Sequence, residues 1–106
     1  MTHESERLLL ELKDGLAGLY GDTLRGVYLY GSYARGDFDA ESDFDVLVVL
    51  DGFASYGAEV DRTAGLASEL SLRHGLSISM VFVRECDWRA ADTPFLRQVR
   101  DEAIAA

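Results

Sequence analysis

Leu29-Tyr30-Gly31-Ser32-Tyr33-Ala34-Arg35-Gly36 and Ser42-Asp43-Phe44-Asp45-Val46-Leu47-Val48 are the stretches whose reading decides the fold. Between Ser32 and Asp43 lie ten residues, so the segment reads Gly-Ser-x10-Asp-x-Asp. Gly31 and Ser32 close the apolar run Val27-Tyr28-Leu29-Tyr30, and Asp43 and Asp45 open the run Val46-Leu47-Val48-Val49-Leu50. A glycine at the end of a strand lets backbone N–H groups approach an anion with no Cβ in the way. Aspartates at i and i+2 on a strand project from one face. Two hard carboxylates on one face suit magnesium beside a bound triphosphate.

Working outward, residues Ser5 to Tyr20 place Leu8, Leu12, Leu16 and Leu19 at helical spacing. Gly21-Asp22 breaks that helix. Strands are predicted over Leu24 to Tyr30 and Asp43 to Leu50, with a short helical turn around Tyr33 to Arg35 between them. A second long helix is predicted over Ala58 to His74, apolar at Val60, Ala64, Ala67 and Leu70, with Gly75 as its C-cap. Ser77 to Val83 reads as a third strand and Asp87 to Ala91 as a short helical turn. Thr93-Pro94 opens a final helix through about Ala103, as N-cap and first helical residue. The expected class is α+β, a small mixed sheet of about three strands with helices packed against it. The first two strands are expected to pair antiparallel. The helix between the second and third is long enough for a crossover, which makes those two parallel. That arrangement puts the Gly31-Ser32 turn beside Asp43 and Asp45, with Ser79 level with the aspartates.

Composition narrows the chemistry. The chain has 106 residues, with 10 Lys and Arg against 19 Asp and Glu, a formal net charge of −9. Such a surface repels phosphate backbones, so nucleic acid is not an expected partner, whereas a basic protein is. Hydrophobic residues at 48% suit a folded domain, and residues 1–106 are read as one. No apolar run approaches the ~20 residues that span a bilayer, and the first residues are polar and acidic, so a cytoplasmic protein is expected. A single cysteine, Cys86, leaves no internal disulfide. Asp37, Asp39 and Glu41 read as a solvated acidic loop. Asp43 and Asp45 lead into an apolar strand, where like charges are costly unless a cation pairs with them. Arg35 reads equally as a phosphate ligand or as the partner of a nearby acid. Tyr33 reads as packing locally more than as stacking near the nucleotide, His3 and His74 as facing solvent, and Trp88 either as an anchor of the C-terminal segment or as part of a partner surface. For Arg97, Arg100, Asp101 and Glu102 the expectation is pairing at the surface.

These motifs resemble the minimal nucleotidyltransferases, a branch of the DNA polymerase β-like nucleotidyltransferase superfamily. The resemblance spans nearly the whole chain and includes Pro94-Phe95-Leu96-Arg97-Gln98-Val99-Arg100-Asp101-Glu102-Ala103, which is similar to the closing helix of many members. It implies ATP as substrate with Mg2+, the Gly31-Ser32 turn and Arg35 toward the nucleotide, and Asp43 and Asp45 as catalytic metal ligands. Members of this size are often antitoxins of HEPN ribonuclease toxins, and some silence the toxin by transferring AMP to one of its tyrosines. The expected function is therefore that of an antitoxin adenylyltransferase, forming a hetero-oligomer with its toxin. The alternative is an antitoxin that acts by contact alone. A small-molecule nucleotidyltransferase fits less well, because 106 residues leave no room for a substrate domain. One departure bears on this choice: where the superfamily carries a third carboxylate on the next strand, Ile78-Ser79-Met80-Val81 offers Ser79.

Overall fold

A computed structural model describes residues 2–106. The chain begins with helix α1 (His3–Tyr20), whose N-cap Thr2 accepts from the Ser5 N–H at 3.1 Å. A 3-10 turn (Gly21–Thr23) leads into strand β1 (Leu24–Tyr30), and the single-turn helix α2 (Ser32–Arg35) follows. Strand β2 (Phe44–Leu50), helix α3 (Tyr56–His74) and strand β3 (Ile78–Arg84) form a crossover unit. Helices α4 (Glu85–Ala90) and α5 (Pro94–Glu102) then lead to the two-residue strand β4 (Ile104–Ala105). Thr93 caps α5 through the Leu96 N–H at 3.1 Å, with Pro94 at its first position. Among the described residues no helix is long and apolar enough to cross a membrane.

The strands form one mixed sheet in the order β3-β2-β1-β4. β1 pairs antiparallel with β2 and with β4, while β2 and β3 run parallel. The fold class read from the sequence holds, with four strands where about three were expected. β4 escaped notice because two residues show no alternation, and a tight backbone seal to β1, including Ala106 N–H to the Val27 carbonyl at 2.9 Å, defines it instead.

β2 lies inside the sheet and is covered on both faces, so its apolar run is nearly continuous rather than alternating. Phe44, Val46, Val48 and Leu50 face one core with Val27, Leu29 and Phe82, against Leu8, Leu12 and Leu16 of α1 and Leu70 of α3. Leu47 and Val49 face the other, with Tyr28, Tyr30, Trp88 and Val99 of α5. Trp88 does anchor the C-terminal segment: its ring lies 4.8 Å from that of Tyr28, and Arg100 donates to its carbonyl. The alternation that faces Phe44 to the first core therefore faces Asp45 toward the layer of α4 and α5.

Two readings of side-chain placement are corrected. The inner face of α3 carries Glu59, Thr63 and Leu70, while Val60 and Ala64 are exposed. Glu59 is tolerated inside because Tyr20 donates to it at 2.7 Å and Arg62 at 3.1 Å, and the Thr63 hydroxyl donates to the Glu59 carbonyl at 3.0 Å. Val60, Ala64 and Ala67 instead border a shallow groove of about 150 Å³ along Ile78, Met80 and Phe82. His74, expected at the surface, has a side chain only 6% exposed, with Nε2 2.8 Å from the Glu11 carboxylate. That contact holds the Glu11 carboxyl below its ordinary range.

The two faces of α3 make a direct comparison. Leu70→Ala should cost about 2–5 kcal/mol through transfer and cavity terms. Val60→Ala, on the exposed side, should change stability by less than about 0.5 kcal/mol. Urea unfolding of the two variants should separate them, and equal losses would contradict this assignment of the helix face.

Candidate active site

Register places the candidate residues at one end of the sheet. Tyr30, the last residue of β1, pairs with Asp45 of β2, and Asp45 pairs with Ser79 of β3. Gly31 follows Tyr30 directly and adopts φ +76°, a region that an L side chain occupies only under strain. A Cβ at this position would collide with Asp45 Oδ2, so the turn after β1 rests directly against that carboxylate. Glycine is required here by both conformation and space.

The turn continues as α2. The N–H groups of Ala34 and Arg35 both donate to the Gly31 carbonyl, at 3.1 and 3.0 Å, and Gly36 closes the turn in the left-handed region at φ +84°. Ser32 therefore sits at the first position of a single helical turn. Tyr33 packs locally, as expected: its ring stacks on Phe38 at 4.2 Å and meets Phe44 edge-on at 5.2 Å. Asp37, Asp39 and Glu41 are exposed in the connecting loop. Asp43 is exposed just before β2, and Asp45 is half-buried within it.

Sequence reading missed one member of the cluster, Glu102. Its Oε2 accepts from the Gly31 N–H at 3.0 Å and from Arg35 Nη1 at 2.8 Å, and its side chain is 11% exposed. The expected surface pairing of the closing helix is thereby corrected for Glu102 and Arg100 and holds for Arg97. Arg97 pairs with Asp92 at 3.1 Å, and Arg100 donates to the carbonyls of Asp87, Trp88 and Ala91. Glu102 turns inward because Leu96 and Val99 are the buried residues of α5 and Glu102 is the next step of three along that face. That spacing was a signal available in the sequence. Arg35, read as a phosphate ligand or an acid's partner, is held by two acids, Glu102 and Asp37, the latter at 3.2 Å.

Negative charge dominates the site. Burial, then Asp43, then Glu102 push the Asp45 carboxyl above its ordinary range, with Arg35 only partly opposing them. Tyr30 is pushed up to about 12, by burial first and then by Asp45, Tyr56 and Glu102. Among the described residues no group of three or more His, Cys, Asp or Glu side chains is arranged to hold a metal ion. Two neighbouring carboxylates in a site of excess negative charge nevertheless suit magnesium, which takes one or two carboxylates and completes its shell with water and substrate phosphates.

The sign of this repulsion can be measured. A raised Asp45 pKa favours the neutral form in the fold, so its contribution to stability is present below the unfolded pKa and is lost as pH rises through the folded one. In chelator-containing buffer at neutral pH, Asp45→Asn should therefore melt above the wild type. The gap should narrow as pH falls through the raised Asp45 pKa. A lower melting temperature for the variant at neutral pH would contradict this electrostatic account.

Comparison with known proteins bears on the family and the fold. The sequence matches the nucleotidyltransferase domain family over residues 9–104. It is 31% identical over 97 residues to MJ0141 of Methanocaldococcus jannaschii, named as a protein adenylyltransferase, covering 92% of this chain and 93% of that one. A second protein of the same organism with the same designation, MJ0604, is 32% identical over 80 residues, covering 76% and 74%. Among solved structures, a chain from a toxin–antitoxin complex with AMP-PNP is similar with a TM-score of 0.63 at 22% identity, covering 95% of this chain and 70% of that one. A chain from the complex of a tri-AMPylated Shewanella oneidensis HEPN toxin with its MNT antitoxin gives 0.57 at 20% identity, covering 96% and 67%. At these identities the structural likeness speaks to the fold. With the family matched across most of its length, this chain belongs to the nucleotidyltransferase domain family.

Proposed function

We propose that the protein is a cytoplasmic antitoxin that adenylylates a HEPN-family toxin, transferring AMP from ATP to a tyrosine hydroxyl. The observation that carries this reading is the packing of the Gly31-Ser32 turn against Asp45, with Asp43 two residues away at the same end of the sheet. Support comes from the relatives named as protein adenylyltransferases and from similar folds found in toxin–antitoxin complexes, one with AMP-PNP and one with a tri-AMPylated toxin.

In this reading Gly31, Ser32 and Arg35 form the nucleotide-binding side of the site, and Asp43 and Asp45 are its catalytic metal ligands. Bound magnesium would neutralise charge on the phosphates and on the pyrophosphate leaving group. The acceptor hydroxyl loses its proton to solvent water, its oxygen bonds to the α-phosphorus of ATP, and the bond from that phosphorus to the bridging oxygen breaks, releasing pyrophosphate. The Gly31-Ser32 turn orients the triphosphate, and the α5 layer covers one side of the site. Asp43 is exposed, which leaves room for a partner's side chain to approach.

A second reading has its own observation. Ser79 pairs with Asp45 across β2 and β3, so the position level with the aspartates holds a hydroxyl where a carboxylate would take the acceptor's proton. Loss of a positioned base costs roughly 10²–10⁴-fold in rate. This favours an antitoxin that neutralises its toxin by contact, keeping the nucleotide site with little turnover.

The first reading needs the site to bind nucleotide, and calorimetry tests that. ATP should bind in the presence of magnesium and not in its absence, and the Asp43→Asn/Asp45→Asn double variant should lose the binding. Equal binding by a folded double variant would overturn the site assignment.

A further inference from the structure

α2 has little of its own to hold its shape. It is one turn long, its N-cap is a glycine in the left-handed half of backbone space, and its C-cap Gly36 is another. The N-cap glycine has no side chain of its own to make a capping bond. An isolated turn of this length is unstable in water, because nucleation fixes several dihedrals for one hydrogen bond. Glycine at both ends adds conformational entropy to be lost. Order must come from elsewhere.

It comes from the other end of the chain. One oxygen of Glu102 accepts from the Gly31 N–H, at the start of the turn, and from Arg35 Nη1, at its last residue. Both ends of α2 are thus tied to a single point on α5. The bonds are charge-assisted, and the Glu102 side chain is almost fully covered, so each is stronger than an exposed neutral equivalent. The point itself is anchored by packing and strand pairing. Val99, one turn earlier on α5, is buried at 1% exposure against Leu47 and Val49 of β2, and β4 follows Glu102 within two residues to pair with β1. Glu102 therefore connects the turn to the same sheet that carries Asp45.

We infer that Glu102 is the positioning residue of the nucleotide site, a clamp that holds the Gly31-Ser32 turn in its binding geometry relative to Asp43 and Asp45. The inference rests on the reading of that turn as the nucleotide-binding element. Arg35 then serves two parts: its guanidinium ties the turn to Glu102, and its exposed side faces the open groove of about 700 Å³ formed with Pro94, Arg97, Gln98 and Asp101. Glu102 touches neither the reacting phosphorus nor the acceptor in this assignment. Its contribution is preorganisation, and misplacement of a binding element by about 1 Å can cost about 10²-fold.

Two variants and two readouts test the clamp in the full-length protein. Glu102→Gln keeps an oxygen to accept from Gly31 and Arg35 but removes the charge, whereas Glu102→Ala removes the acceptor altogether. By hydrogen exchange, the Gly31 amide should exchange at least about tenfold faster in Glu102→Ala and less so in Glu102→Gln, while β2 amides keep their protection. By calorimetry at a temperature where every variant is folded, magnesium–ATP affinity should fall about tenfold in Glu102→Ala and by less in Glu102→Gln. A control, Glu11→Gln, removes a distant carboxylate paired to His74 and should leave both readouts unchanged. Unchanged Gly31 exchange in a folded Glu102→Ala would overturn the clamp. Faster exchange with unchanged affinity would overturn its role in nucleotide binding. Tighter ATP binding by Glu102→Gln would also overturn it, because Glu102 would then be competing with phosphate for Gly31 and Arg35. If the wild type binds no nucleotide while the exchange difference stands, the proposed function fails and the clamp survives as a feature of the fold.

Discussion

The antiparallel pairing that sets Tyr30 opposite Asp45 is the constraint on which the rest of the site depends. It delivers Gly31 directly against the Asp45 carboxylate, and through the β2–β3 register it also sets Ser79 level with Asp45. A slip of one residue would turn every side chain of β2 to the opposite face. Asp45 would then enter the core now filled by Phe44, Val46 and Val48, all at 0% exposure, and an unpaired charge there would be prohibitive. The cost of burying Asp45 and the packing of Phe44 thus enforce the same register. Stability and site geometry are specified by one set of residues.

The site is also strained electrostatically, and the strain has a direction. Asp43 and Glu102 both act on Asp45, while Arg35 is divided between Asp37 and Glu102 and only partly offsets them. In the proposed reading a bound magnesium ion would offset this excess of negative charge. The α5 layer supplies the third acid from the opposite end of the chain, using Val99 for depth and Glu102 for contact with the turn. Ser79, in contrast, adds no charge from β3. Acidity in this site therefore comes from the start of β2, through Asp43 and Asp45, and from α5, through Glu102.

Much of this was legible in the sequence because it is local. β1 was bounded correctly, since Gly26 to Tyr30 is followed at once by a glycine that the turn requires, and the antiparallel and parallel pairings followed from connection lengths. The illegible parts are those decided by distant contacts. Val60 and Ala64 repeat at helical spacing, yet α3 buries Glu59 and Thr63 because Tyr20, Arg62 and the helix backbone satisfy their polar atoms. His74 was read by its isolation from other metal ligands, while its actual partner Glu11 lies on α1, across the helix pair. Glu102 stands among the charges of a helix end, and although its spacing from Leu96 and Val99 marks a shared face, only the burial of those two residues shows that this face turns inward. β4 is too short to carry any pattern.

The most direct test of the proposal that this site transfers AMP is intact-mass spectrometry of the proposed HEPN-family partner after incubation with the protein. The reaction should be run with magnesium–ATP, without nucleotide, and with the Asp43→Asn/Asp45→Asn variant. Transfer predicts a toxin heavier by one or more adenylyl groups only with wild-type protein and magnesium–ATP, with a tyrosine as the modified residue. A toxin of unchanged mass that is nevertheless silenced without nucleotide would contradict transfer and assign neutralisation to contact.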